Sequence, residues 1–200
     1  MIDVSQVPPG QPLRVIIGAG SQSYPGWIAT QKEQLDLARS DDWAASFRTR
    51  PVDAFLCEHV WEHLSEADAR LAASLCFRYL RPGGYLRCAV PDGNFPDAEY
   101  QQLVRPGSTL AKDHPAVDHK VIYDYGSFTA MFAAAGFDVD LLEYCDEAGR
   151  FHYNEWSPDD GPIYRSLLLD HRNKHGTIGF ISLIVDARKP LQPDQPPRRM

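Results

Sequence analysis

Two spacings of apolar positions alternate along this chain. Short apolar or β-branched runs bounded by turn residues predict buried strands. They are Leu13–Ile17, between Pro12 and Gly18-Ala19-Gly20, then Val52–Cys57, Tyr85–Val90 (ended by Pro91-Asp92-Gly93), Phe137–Tyr144 and Ile178–Ala187. Weaker runs at Trp27–Thr30 and Gln34–Leu37 bring the expected strands to seven. Helical spacing lies between them. Ser65 and Asp68 form a capping-box pattern ahead of a stripe of Leu71, Ala72, Leu75, Cys76, Tyr79 and Leu80, which Arg81-Pro82-Gly83-Gly84 stops. Pro96 opens a short helix to about Val104, and Ser127 caps a helix through Ala135 with Phe128, Met131 and Phe132 on one face. Strands alternating with helices predict an α/β layer fold around a mainly parallel sheet. Only residues 19–26 separate the first two strands. A parallel connection usually takes about a dozen or more, so the first crossover helix is expected to be reduced to a turn.

The proline-rich ends, residues 1–12 and 190–200, are expected to join no regular element, leaving one domain over residues 13–189. The chain has 200 residues, enough for a full core without a metal or disulfide staple. With 20 Lys plus Arg against 27 Asp plus Glu its net charge is −7, which disfavours nucleic acid as a partner. No apolar run approaches the length of a membrane span, and the first ten residues lack a secretory pattern, so a cytoplasmic protein is expected. Cys57, Cys76, Cys88 and Cys145 form no C-x-x-C pair and read as buried thiols in a reducing compartment.

In an open α/β sheet ligands bind beyond the carboxyl ends of the strands. The residues to weigh are therefore Gly18-Ala19-Gly20, Gln31 to Glu33, Glu58 and His59, and Pro91-Asp92-Gly93. The full dinucleotide fingerprint is absent, since Ser23 holds the third glycine position. One rival motif is His59-Val-Trp-Glu62-His63, an inverted zinc-peptidase pattern. It requires a helix, whereas this segment leaves a strand and the helix signal begins only at Ser65. No metal ligand is assigned, and Glu62 and His63 are expected to hold the loop or face a substrate.

The ordered set Val15-Ile-Ile-Gly-Ala-Gly20, Pro25-Gly26-Trp27, Val52 to Leu64, Phe77 to Tyr85 and Val90-Pro91-Asp92 resembles the small seven-stranded S-adenosylmethionine-dependent methyltransferases. His119-Lys120 through Phe137 looks like that family's late helix leading into an antiparallel hairpin. The resemblance implies a Rossmann-like fold: a mainly parallel seven-stranded sheet with an antiparallel last strand. It also implies S-adenosyl-L-methionine as cofactor, with Gly18, Ala19 and Gly20 along its methionine part and Glu58 and His59 beside it. Gln31 stands where the ribose-binding carboxylate is expected, with Glu33 two residues on. Asp36 is the candidate near the adenine amino group, or else a solvated loop carboxylate.

For methyl transfer the candidate bases are His119, His63, Tyr123 and Asp92. The aromatic-polar loop Asp146 to Gly161, with His152 and Trp156, suits a substrate wall or a cover for the sheet edge. The leading expectation is methyl transfer to a small-molecule or saccharide-like acceptor. The alternative is a non-catalytic methyltransferase-like module, which the missing carboxylate at Gln31 and the trimmed first crossover favour. A partner chain, such as the second copy of a homodimer, is the expected cover for the trimmed face.

Overall fold

The computed structural model describes residues 2–108, 114–173 and 178–191. Its strands are β1 (Arg14–Ile17), β2 (Ile28–Ala29), β3 (Val52–Glu58), β4 (Leu80–Pro91), β5 (Asp138–Cys145), β6 (Phe151–Tyr153) and β7 (Ser182–Arg188). Its helices are α1 (Ser40–Phe47), α2 (Glu66–Tyr79), α3 (Ala98–Val104) and α4 (Tyr125–Ala134). The seven strands form one sheet in the order β2-β1-β3-β4-β7-β5-β6. β1, β2, β3 and β4 pair in parallel. β7 lies antiparallel between β4 and β5, and β6 folds back on β5.

The expected strand Gln34–Leu37 is absent. Residues 32–34 form a turn instead, because β2 spans two residues and nothing pairs beyond it. The seventh strand is β6, at the opposite edge. The first crossover holds no helix, as expected. Residues 18–27 return by turns, which suffices because so short a β2 lets the chain retrace only two paired positions of β1. β4 begins directly after α2, so the stretch Arg81-Pro82-Gly83-Gly84 lies inside an irregular strand start. Asp124 is the N-cap of α4, and Ser127 is the reciprocal partner in a capping box.

The expected free N-terminal segment is tied down. Val4–Gln6 makes one 3₁₀ turn capped by Asp3, and Ile2 is buried with its N–H donating to Ser46 Oγ. Arg50 donates to the carbonyls of Val7 and Gln11. The expected C-terminal tail lies, from residue 192 on, outside the described residues. All four cysteines are buried and unpaired. No helix among the described residues is long and apolar enough to cross a membrane.

Strand alternation gives the sheet two apolar faces. Val15, Ile17, Phe55, Cys57, Leu86, Cys88, Leu183 and Val185 pack against Trp43 of α1, Ala72 and Cys76 of α2, and Phe128 and Phe132 of α4. The opposite face, with Ile16, Leu56, Ala89 and Ile184, meets Trp156, Ile163, Tyr24 and Trp27 from irregular chain. Such a cover must have its backbone polar groups satisfied, and charged residues of the sheet supply the partners. Arg87 donates to the carbonyls of Ser157 (2.8 Å) and Gly161 (2.9 Å) and is held by Asp186 at 2.8 and 3.0 Å. Glu143 accepts from Trp156 Nε1 and from the Leu167 amide, at 2.9 and 2.8 Å. Glu58 accepts from the Tyr164 and Arg165 amides, both at 2.9 Å.

At the end of β4, Asp92 accepts the amides of Asn94 (2.8 Å) and of Cys145 (2.7 Å), closing β4 onto β5. Burial pushes its carboxyl up to about 6, against the lowering effect of those amide bonds.

Two outcomes follow. Arg87→Leu is expected to cost about 3–5 kcal/mol in urea unfolding, because the buried Asp186 keeps only Arg188. Amide exchange at Tyr164 and Leu167 should quicken; a change under about 1 kcal/mol would contradict the role given to Arg87. For Asp92 the native state holds its proton more tightly than the unfolded chain, so its contribution is full below about pH 4 and lost as pH rises through about 6. Relative to Asp92→Asn, the native protein is expected to lose on the order of 3 kcal/mol from pH 4 to 7. A stability difference between the two that is independent of pH would sink this account.

Candidate active site at the strand rim

The turns that follow β1, β2, β3 and β4 meet at one rim. After β1 the chain reverses through Gly18 and Gly20, both left-handed at φ +60° and +55°. The turn is held to β2: Ala19 N–H donates to Thr30 O at 2.8 Å, and Thr30 N–H returns to Ile16 O at 2.9 Å. A Cβ on Gly18 would lie 2.6 Å from Val60 Cγ2, so only glycine lets the β1 and β3 turns touch. Gly20 faces open space, with nothing within 4 Å of where its Cβ would be.

Beyond β3, His59 is the one left-handed non-glycine among the described residues, at φ 56°. Its N–H donates to Ala89 O, and its Nε2 lies 2.8 Å from Ser182 Oγ. The reversal leads into a 3₁₀ turn, Trp61–His63, that carries Glu62 inward and leaves His63 at the mouth. Glu62 O accepts from the Lys120 and Val121 amides at 2.7 and 3.2 Å, which draws His119 alongside.

Two cavities adjoin at Gly18 and His63. The first, about 410 Å³, is lined by Gly18 to Gln22, Glu58, His59, Glu62, His119, Arg165 and Arg172 among others. The second, about 330 Å³, is lined by Leu35 to Ala38, Val60, Leu64, Asp68, Asp118 and Lys120. Both fall in the size range of small-molecule sites. Of the three carboxylates on the second cavity, Asp68 is bonded to Ser65 and Asp118 to His63. Among the described residues the Asp36 carboxylate accepts only from the Ala38 amide.

In the first cavity the Glu58 carboxylate is used up by Gln22 Nε2 (2.7 Å), the two amides of the cover and Arg165 Nη1 (3.3 Å). His119 Nδ1 bonds Val104 O at 2.7 Å, so its Nε2 is left for the cavity. Burial pulls the His119 pKa below the ordinary histidine value, with the Val104 bond opposing. His63 and His119 meet edge to face at 4.8 Å between ring centroids.

Of the residues singled out in the sequence, Gly18, Ala19, Gly20, Glu58, His59, His63 and His119 line the first cavity, and Asp36 the second. The others stand elsewhere. Gln31 is exposed, and its Nε2 supports the glycine turn by donating to Gly20 O at 2.7 Å. Glu33 is exposed on the neighbouring turn, outside both cavities. Asp92 is fully buried as the β4–β5 clamp, with both oxygens turned to backbone amides. Tyr123 lines a separate hollow with Glu66, Arg70 and Met131, and burial raises its hydroxyl far above the usual range. His152 lies at the β6 edge, stacked on Tyr144 and bonded to Asp146. Trp156 belongs to the cover of the sheet, under Arg87. The loop after β5 therefore packs on the sheet rather than forming a wall of the rim.

Sequence reasoning missed Arg165, Arg172, Gln22 and Phe180, which also line the first cavity. The two arginines sit in chain without periodicity, and only the Glu58 contact and the Arg172 stack on Phe180 (3.5 Å) bring them to the rim.

Comparison with known proteins bears on this geometry. Residues 24–88 match a family model described as a methyltransferase domain. A SAM dependent methyltransferase from Archaeoglobus fulgidus superposes with a TM-score of 0.54 at 14% identity, with 90% of this chain and 87% of that chain covered. An S-adenosylmethionine dependent methyltransferase from Mesorhizobium loti gives 0.51 at 13% identity, with 92% and 94% covered. No curated protein matches the chain. The chain thus has the Rossmann-like fold of the seven-stranded S-adenosylmethionine-dependent methyltransferases.

Proposed function

We propose that this protein is a methyltransferase that moves a methyl group from S-adenosyl-L-methionine to a small-molecule or saccharide-like acceptor. The observation that carries the reading is the junction of two cavities at Gly18, where turns from four parallel strands converge. The residues fit the cofactor. Gly20 leaves an uncrowded backbone surface for the amino-acid portion, and the apolar pair Leu35 and Leu37 with Asp36 suits a nucleoside in the second cavity.

When bound, the cofactor supplies an electrophilic methyl on a sulfonium. The chain's part is alignment: Gly18 admits the ligand between the cavities, and the Glu62, His63 and His119 wall meets the acceptor. Glu58 and His59 shape the first cavity, Glu58 through the cover that it anchors. One observation favours the non-catalytic module: Gln31 holds Gly20 and puts no carboxylate where a ribose diol is usually bound. A single domain over residues 13–189, a cytoplasmic setting, a homodimer and the absence of nucleic acid as a partner belong to this proposal as well.

Calorimetric titration with S-adenosyl-L-methionine tests it. The native protein is expected to bind one equivalent. Asp36→Ala should weaken binding about 10–100-fold, the loss of one charge-assisted hydrogen bond. Gly20→Ala should weaken it too, at a folding cost of only about 1–2 kcal/mol for the left-handed backbone. No heat at high micromolar cofactor would overturn the methyltransferase reading and leave the non-catalytic module. Equal affinity in the Asp36 and Gly20 variants would overturn the placement.

A further inference from the structure

We infer that Glu62, His63 and His119 form a mononuclear site for a divalent first-row transition ion that opens onto the first cavity. One potential ligand atom from each lies within 4.8 Å of the others. Neighbouring ligands on a tetrahedral ion at about 2.0–2.1 Å stand about 3.4 Å apart, so inward side-chain shifts of up to about 0.8 Å close the set.

Three independent features point to a cation. Glu62 is fully buried, yet among the described residues neither carboxylate oxygen has a hydrogen-bond partner; the nearest group that can carry a positive charge is the His59 imidazole, with Nδ1 3.2 Å from Oε1. A buried carboxylate without donors is costly, and an ion relieves that cost. Each imidazole has its other nitrogen occupied, His63 Nδ1 by Asp118 Oδ1 at 2.8 Å and His119 Nδ1 by Val104 O at 2.7 Å. This is the outer support that orients metal-binding histidines and leaves Nε2 as the donor. His119 Nε2 stands 4.0 Å from Glu62 Oε1. The arginines of the cavity do not neutralise Glu62 instead, because Arg165 is paired with Glu58 and Arg172 with Asp170.

Two imidazoles and one carboxylate favour zinc, iron, cobalt or manganese over magnesium and calcium, which prefer all-oxygen cages. Three protein ligands leave positions for an oxygen from water or from an acceptor. The site differs from the one read in His59-x-x-Glu62-His63. His59 lies beside the site, its Nε2 on Ser182 Oγ at 2.8 Å and its Nδ1 3.2 Å from Glu62 Oε1. The second imidazole of the donor set is instead His119 from a distant segment, and Glu62 becomes a ligand. The inference stands on this donor set and does not require methyl transfer.

The test uses untagged full-length protein, stripped with a chelator and titrated with Zn²⁺ and Co²⁺ in the absence of S-adenosyl-L-methionine. One equivalent is expected to bind and to raise Tm. Bound Co²⁺ should show the weak visible bands of nitrogen and oxygen ligation. Glu62→Gln and His119→Asn should each weaken binding at least about 100-fold and abolish the Tm increase. Far-UV circular dichroism of the metal-free variants checks folding, and the Co²⁺ spectrum of the native protein serves if a variant fails to fold. Absence of stoichiometric binding, native affinity in both folded variants, or intense thiolate charge-transfer bands that place the ion on cysteine would each overturn the inference.

Discussion

The fold depends on how an irregular stretch of chain can lie on a sheet without orphaning its backbone. Where helices cover one face, the other is covered by turns after β1 and by residues 154–173, which have few backbone partners of their own. The sheet meets this need with buried charged side chains on three strands: Glu58 on β3, Arg87 on β4 and Glu143 on β5. Each reaches backbone donors or acceptors of the cover, while the interleaved Leu56, Ala89 and Ile184 supply apolar contact. Burying these charges is tolerable because each is multiply bonded, and Arg87 is also paired with Asp186. The same arrangement explains why the chain manages without a first crossover helix.

Much of the architecture was legible in the sequence. Strands at Leu13–Ile17 and Val52–Cys57 and the helix after Ser65 have strong local signals, and they stand where the pattern puts them. The misses have physical causes. Gln34–Leu37 alternates like a strand, but its apolar residues Leu35 and Leu37 reach the core from a turn with no neighbour to pair with. α1 carries its amphipathic content in Trp43 and Phe47 within two turns, too short for periodicity to declare itself. β6 is three residues long and exists only because β5 offers it an edge.

At the site, reading the ends of strands found the glycine turn, Glu58, His59 and His63, because those positions follow from topology alone. It misplaced Asp92, since a residue just past a strand can turn either into the crevice or back into the sheet, and the Cys145 amide lies on the inner side. Tyr123 and Trp156 followed composition, which does not specify direction. The contact of His119 with Glu62 rests on backbone bonds between residues far apart in sequence, so no local pattern announces it.

Glu58 has one further implication. Its carboxylate at once steadies Gln22 of the glycine turn, closes one side of the first cavity through Arg165, and anchors the cover at Tyr164. Entrance and rear wall are therefore mechanically coupled. Widening the doorway by swinging residues 164–165 outward would loosen the layer over Leu56 and Ala89, so access to the crevice is geared to the firmness of the whole second face.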